Sequence, residues 1–222
     1  MISHKYKCIF IHIPKTAGTS MEKKLGHFEE LARGVQDHSP IQDIEPLSIV
    51  DLVRIACQGR VKYALKDVRN TLRGSSLRLT PKQFEEYYKF TFVRNSWSRV
   101  YSWYQNVMRD EEHQRNSNVT ADISFKDFVN GHLTHHLIRS QMVWVSDNRG
   151  QVPLDFVGRF ENLHEDFAVV CDRLDLGDSD LPQLVTSSGG KHYTDVYDDE
   201  TRSIVARKFA DEIEYFKFKF GE

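Results

Sequence analysis

The stretch that most constrains this chain runs "CIFIHIPKTAGTSMEKKL" from Cys8 to Leu25. The run from Lys7 to Ile13 is nearly continuous in apolar and β-branched residues, as expected of a strand covered on both faces. A polar loop, Lys15-Thr16-Ala17-Gly18-Thr19-Ser20, then leads into a helical pattern. Gly18 permits close backbone approach or an unusual dihedral at that turn. Thr19 and Ser20 can cap the helix or offer hydroxyls to an anion. The helix start supplies unpaired amides from Ala17 onward, and Lys15 adds a full charge. Such a loop is either a cradle for phosphate or sulfate or an ordinary polar turn, and its spacing alone leaves both open. It is not a Walker loop, because it holds one glycine and the lysine comes before it.

Further strand candidates are Val61–Leu65, Lys89–Val93 and Phe156–Phe160. Helical spacing follows each of the last two, through Val100, Tyr104 and Val107, and through Leu163, Phe167, Val170 and Leu174; a single pattern through Val205, Phe209, Ile213 and Phe216 closes the chain. Strands alternating with helices predict an α/β fold, a mainly parallel central sheet flanked by helices. Ligands on such sheets bind beyond the carboxyl ends of the strands. Arg109–Thr120 and Leu176–Lys191 lack core periodicity and read as loops, the first a solvated surface. The second ends in "SSGGKH", which could close over a ligand.

The 222 residues and 40% hydrophobic content predict a single domain spanning residues 1–222. A net charge of −2 argues against a nucleic-acid footprint, so any anion site must be local. Three widely spaced cysteines, Cys8, Cys57 and Cys171, suit neither a disulfide framework nor a zinc site, and no metal is expected. The N-terminal apolar run is too short for a signal peptide or membrane span, so the expected location is cytoplasmic.

"YYKFTFVRNSWSRVYSWYQ" repeats the grammar of the first loop. A strand ends at Val93, Arg94 stands at its exit, and a turn begins a helix. Ser102 follows eight residues later, about one turn into that helix. Arg94 can fork onto a phosphate and Ser102 can add a hydroxyl. Arg99 is a surface or structural cation, and Trp97 and Trp103 are packing residues. Two anion loops at strand exits suggest one ligand with two separated anionic groups, unlike the contiguous phosphates of a nucleoside triphosphate.

"IFIHIPKTAGTS" followed by "FTFVRNSWSRVYSWY", with "DFVGRFENLHEDF" and the closing "YTDVYDDETRSIVARKFADEIEYFKF", resembles the PAPS-dependent sulfotransferases. The likeness is to the carbohydrate branch that includes the heparan and dermatan 2-O-sulfotransferases and their bacterial relatives. It implies a P-loop NTPase-like three-layer sandwich binding 3'-phosphoadenosine 5'-phosphosulfate (PAPS). It places the 5'-phosphosulfate on Lys15, Thr16, Ala17, Gly18, Thr19 and Ser20, and the 3'-phosphate on Arg94 and Ser102. Lys191 is the candidate from a late segment that completes the site. Ser96 departs from the proline common in relatives, which predicts a slightly less rigid turn.

Sulfuryl transfer needs a base, donors to the transferring group, and alignment of attacker and leaving group. Lys15 suits the second task. His38, in "GVQDHSPIQDI", is chosen as base, since histidine titrates near neutrality and the 2-O-sulfotransferases use a histidine. Asp37 or Asp43 could orient it. His135 and His136 are the runner-up bases; His136, Arg139 and Gln141 read as acceptor-binding. His12 reads as a core histidine, and Arg159 and Glu161 as structural. The expected acceptor is a hydroxyl-bearing glycan or glycolipid, with a small alcohol still open. Lys62, Lys66, Arg69, Arg73 and Arg78 could meet an acidic polysaccharide or form a solvated face. The competing readings are a kinase with a degenerate P-loop and a non-catalytic nucleotide-binding domain.

Overall fold

The structure is a computed structural model, and it describes residues 1–26, 37–57, 59, 79–181 and 192–222. The Val61–Leu65 strand candidate, the basic residues from Lys62 to Arg78, and Lys191 lie outside the described residues.

Four strands form one sheet in the order β1 (Ile2–Ser3), β2 (Cys8–Ile11), β3 (Tyr88–Val93) and β4 (Phe156–Arg159). The short β1 pairs antiparallel with β2, whereas β2–β3 and β3–β4 are parallel. Phe10 stands opposite Phe90, and Phe92 opposite Gly158. A Cβ at position 158 would lie 2.5 Å from the Phe92 ring, so only glycine lets β4 close against that aromatic. Among the described helices, those the site depends on are α1 (Gly18–Lys24), α2 (Ser96–Val107), α3 (Glu111–Ser117), α4 (Leu163–Leu174), α5 (Asp199–Lys208) and α6 (Ala210–Phe216).

Alternation along the strands divides the core in two, because successive side chains point to opposite faces. Ile9, Ile11 and Val93 pack with Val100, Trp103 and Val107 of α2 and with Val205, Phe209 and Phe216. Cys8, Phe10, Phe90 and Phe92 pack with Met21 and Leu25 near α1 and with Phe167, Val170 and Leu174 of α4. The sheet is therefore covered by helices on both faces. That arrangement explains the unbroken apolar runs: β2 is buried at all four positions.

Two expectations are corrected. Arg109–Thr120 is not a loop throughout: Asp110 caps α3 by accepting the His113 amide hydrogen at 2.9 Å, and Glu111 and Glu112 follow in the first turn. This helix is held by its cap and dipole complement and has no buried residue, so apolar periodicity cannot reveal it. The closing pattern is two helices, because the chain leaves helical geometry at Phe209 between α5 and α6.

Candidate active site

The exits of the three parallel strands lie side by side. Each feeds one wall of a single cleft of about 1290 Å³: Lys15 and Ala17–Ser20 after β2, Arg94 after β3, and Phe160 after β4. That volume exceeds the roughly 300–1,000 Å³ of pockets that hold one drug-sized ligand. Ser102 and Asn106 of α2, Arg109, and His113, Asn116 and Ser117 of α3 complete the rim, with His12, His38, His135 and His136. Among the described residues lining it are one lysine, two arginines and five histidines, and no carboxylate. In a chain with 32 acidic residues that is local segregation of charge, and it suits a polyanionic ligand.

The first loop is held in a demanding backbone shape. Lys15 and Ala17 both adopt left-handed dihedrals, with φ of 72° and 65°. Each costs an L-residue about 1–2 kcal/mol. The loop is tied down from several directions. Thr16 Oγ1 donates to the Ile13 carbonyl at 2.8 Å, and Ser20 N–H to the Ala17 carbonyl at 3.1 Å. Arg99 Nε donates to the Pro14 carbonyl at 3.1 Å, and Arg94 Nη1 to the Lys15 carbonyl at 3.3 Å. Gly18 is helical rather than left-handed. Its reason is space, since a Cβ there would lie 1.9 Å from His12 Cδ2.

Lys15 Nζ donates to Asn106 Oδ1 at 3.1 Å, linking the loop to α2. Burial, and then the nearby Arg94 and Arg109 charges, lower the Lys15 pKa to about 8. A dianion arriving in the cleft would reverse the charge part of that shift.

Arg94 is stacked 3.9 Å above the Phe160 ring, with Nε donating to Ser98 Oγ at 2.9 Å. Burial lowers its pKa to about 10, against an opposing pull from Glu161, so it is a cation at neutral pH. Ser102 lies in the second turn of α2, on the same cleft wall, deeper into the helix than the sequence suggests.

His38 borders the cleft beside His12, with ring centroids 4.2 Å apart. Its Nδ1 lies 3.1 Å from the His12 carbonyl oxygen. A carbonyl can only accept, so Nδ1 carries the hydrogen and Nε2 the lone pair. Burial first, and then the neighbouring His12, lower its pKa to about 4. His135 is set the other way: its Nδ1 accepts from Leu137 N–H at 3.2 Å, which places the hydrogen on Nε2.

Several sequence-predicted residues stand elsewhere. Gln141 is fully buried and does not line the cleft; its side-chain amide bonds Arg94 and Glu212. Arg139 lies outside the cleft; its Nε donates to the His136 carbonyl at 2.8 Å and its guanidinium sits over Trp144. The Thr16 hydroxyl turns inward. Arg99 is structural, not a surface cation: it is 1% exposed and donates to the carbonyls of Pro14, Leu137 and Arg139. Ser96 does not loosen its turn, because its hydroxyl donates to buried Glu212 at 2.6 Å. Residues that sequence reasoning missed are Asn106, Arg109, His113 and Phe160. Phe160 carries a usable signal, since it follows a strand as Lys15 and Arg94 do.

The chain matches the Sulfotransferase family over residues 1–219. It therefore belongs to that family, whose members transfer sulfuryl groups. It is also similar to an uncharacterized protein of Archaeoglobus fulgidus, at 29% identity over 99 residues, 45% of this chain and 77% of that protein. No solved structure matches it. No described helix is long and apolar enough to cross a membrane.

Proposed function

We propose that the protein is a PAPS-dependent O-sulfotransferase with a P-loop-like fold. The observation that carries this reading is the cleft at the three parallel strand exits, with Lys15 and Arg94 on adjoining exits and no carboxylate among its described lining residues. The donor set fits a nucleotide bearing a 5'-phosphosulfate and a 3'-phosphate. Lys15 and the loop through Ser20 would hold the former, and Arg94 and Ser102 the latter. Lys191 remains the candidate for closing the site. The donor, when bound, supplies an activated sulfuryl group.

The residues then divide the work. His38 Nε2 takes the acceptor hydroxyl proton as the oxygen–sulfur bond forms. Lys15 neutralises charge on the bridging oxygen as the sulfur–oxygen bond to the 5'-phosphate breaks and 3',5'-ADP leaves. The tautomers favour His38 over His135, whose Nε2 holds a hydrogen and can only donate. His136 lies on the cleft rim and suits the acceptor, for which a glycan or glycolipid hydroxyl is the leading class on family likeness.

The test is radiolabelled sulfate transfer from PAPS, in EDTA, over a panel of glycans, glycolipids and small alcohols. Transfer to at least one acceptor, slowed roughly a hundredfold or more but still measurable in His38→Ala, is the expected result. Phosphate transfer from Mg-ATP without any sulfate transfer overturns the reading.

A further inference from the structure

Glu22 of α1 is wholly buried. A buried carboxylate is costly unless it is paired, and this one has two partners. Its Oε1 stands 3.0 Å from His12 Nδ1, off the line of a hydrogen bond, and accepts the Asp37 amide hydrogen at 3.1 Å. Four residues earlier, on the same helix face, stands Gly18. His12 therefore sits with its Cδ2–Nε2 edge against the glycine and its Nδ1 edge at the glutamate. The ring in turn packs on His38, and the His12 carbonyl receives the His38 Nδ1 hydrogen. Glu22 thus holds both sides of one contact: the ring that His38 leans on, and the backbone amide of the residue before His38. The same helix begins in the loop that carries Lys15. One element therefore sets where the proton acceptor stands relative to that cation.

We propose that Glu22 and His12 are a positioning pair for His38, fixing its ring orientation and tautomer beside the Lys15–Ser20 loop. The pair rests on the reading of His38 as the base. Glu22 need not touch donor or acceptor; it acts through His12 and the Asp37 amide.

The experiment combines Glu22→Ala and Glu22→Gln, each alone and in a His38→Ala background, on the full chain. It reads kcat, acceptor KM, the Kd for 3',5'-ADP, and nitrogen NMR shifts of the His38 ring. Glu22→Ala lowers kcat by roughly tenfold to a hundredfold, the scale of a misplaced catalytic group. KM and Kd stay within about twofold, as for a group that acts in the transition state. The loss disappears in the His38→Ala background, where there is no base left to position. The His38 ring signals leave the Nδ1–H pattern. Glu22→Gln keeps an oxygen for the Asp37 amide, shows the same changes at smaller size, and serves should the alanine variant fail to fold. An equal loss with and without His38, or unchanged His38 ring signals in both variants, overturns the proposal. Ring signals that move while His38→Ala retains full turnover support the positioning pair and remove His38 as the base, so the two claims fail separately.

Discussion

Gln141 Oε1 accepts the Arg94 amide hydrogen at 2.9 Å, while Gln141 Nε2 donates to the Arg94 carbonyl at 2.8 Å. The same Nε2 donates to Glu212 at 3.0 Å, and Glu212 also receives Ser96 Oγ at 2.6 Å. Burial pushes the Glu212 carboxyl up, and Arg99, Ser96 and Gln141 offset part of that rise. One buried side chain thus sets the backbone of the candidate phosphate-binding arginine from outside the cleft.

Gln141→Leu leaves both Arg94 backbone groups without these partners. It should destabilise the fold by about 2 kcal/mol, the scale of buried polar groups left unsatisfied. It should also weaken 3',5'-ADP binding without touching the ligand. Urea denaturation and calorimetry check the two effects, and wild-type values in both would contradict this role of Gln141.

Lys15 and the cofactor share a pH dependence. The lysine in the free cleft titrates at about 8, well below its ordinary value, and a bound anion raises that pKa. Affinity for 3',5'-ADP is therefore full below that pH and falls as the ammonium is lost above it. The decline is at most about tenfold per pH unit, since one proton is linked. Lys15→Ala should bind weakly and show a flat profile over the same range. Calorimetric titrations at a series of pH values distinguish the two.

His38 should not give the acid limb of an ordinary histidine. Its charged form is disfavoured by burial and by His12, with smaller opposing effects from the His12 backbone, Glu22 and Asp37. The neutral base is present at neutral pH and is lost as pH falls through about 4. His12→Asn removes one cause of the lowering, so the acid limb of kcat/KM should move to higher pH. A pH–rate profile of both proteins measures this, and a limb that stays in place or moves lower contradicts it.

The neighbouring small residues Ala17 and Gly18 should respond in opposite ways. Ala17 sits at φ 65°, so Ala17→Gly relieves strain and should raise stability by up to about 1 kcal/mol, less than the full left-handed cost because glycine is freer when unfolded. Gly18→Ala drives a methyl into His12 and should cost about 1–3 kcal/mol, as overpacking does. Thermal denaturation ranks the three proteins.

Much of this was legible from local patterns. β2, β3, α2 and α4 carry the apolar periods that burial imposes, and the places of Lys15, Arg94 and Ser102 along the cleft follow from their positions beyond strand exits. α3 escaped because it buries nothing and rests on the Asp110 cap. Gln141 misled for the opposite reason. A glutamine following Arg139 and Ser140 reads as part of a polar surface segment, and only the fold brings Arg94 and Glu212 to it. The space behind Gly18 is equally hidden, since His12, just beyond β2, fills it only once the loop has folded back.

The central claim is that Arg94 and Lys15 form the two anchors of a site for a 3',5'-bisphosphorylated adenosine. Calorimetric titration of 3',5'-ADP and of 5'-AMP into wild type and Arg94→Ala, in EDTA, tests it most directly. Wild type should prefer 3',5'-ADP, and Arg94→Ala should lose roughly tenfold to a hundredfold in affinity for it, from about 1.5–3 kcal/mol for hydrogen bonds to a charged group. 5'-AMP binding should change little in the variant. Equal affinity for the two nucleotides in wild type, or an unchanged 3',5'-ADP affinity in Arg94→Ala, would contradict it.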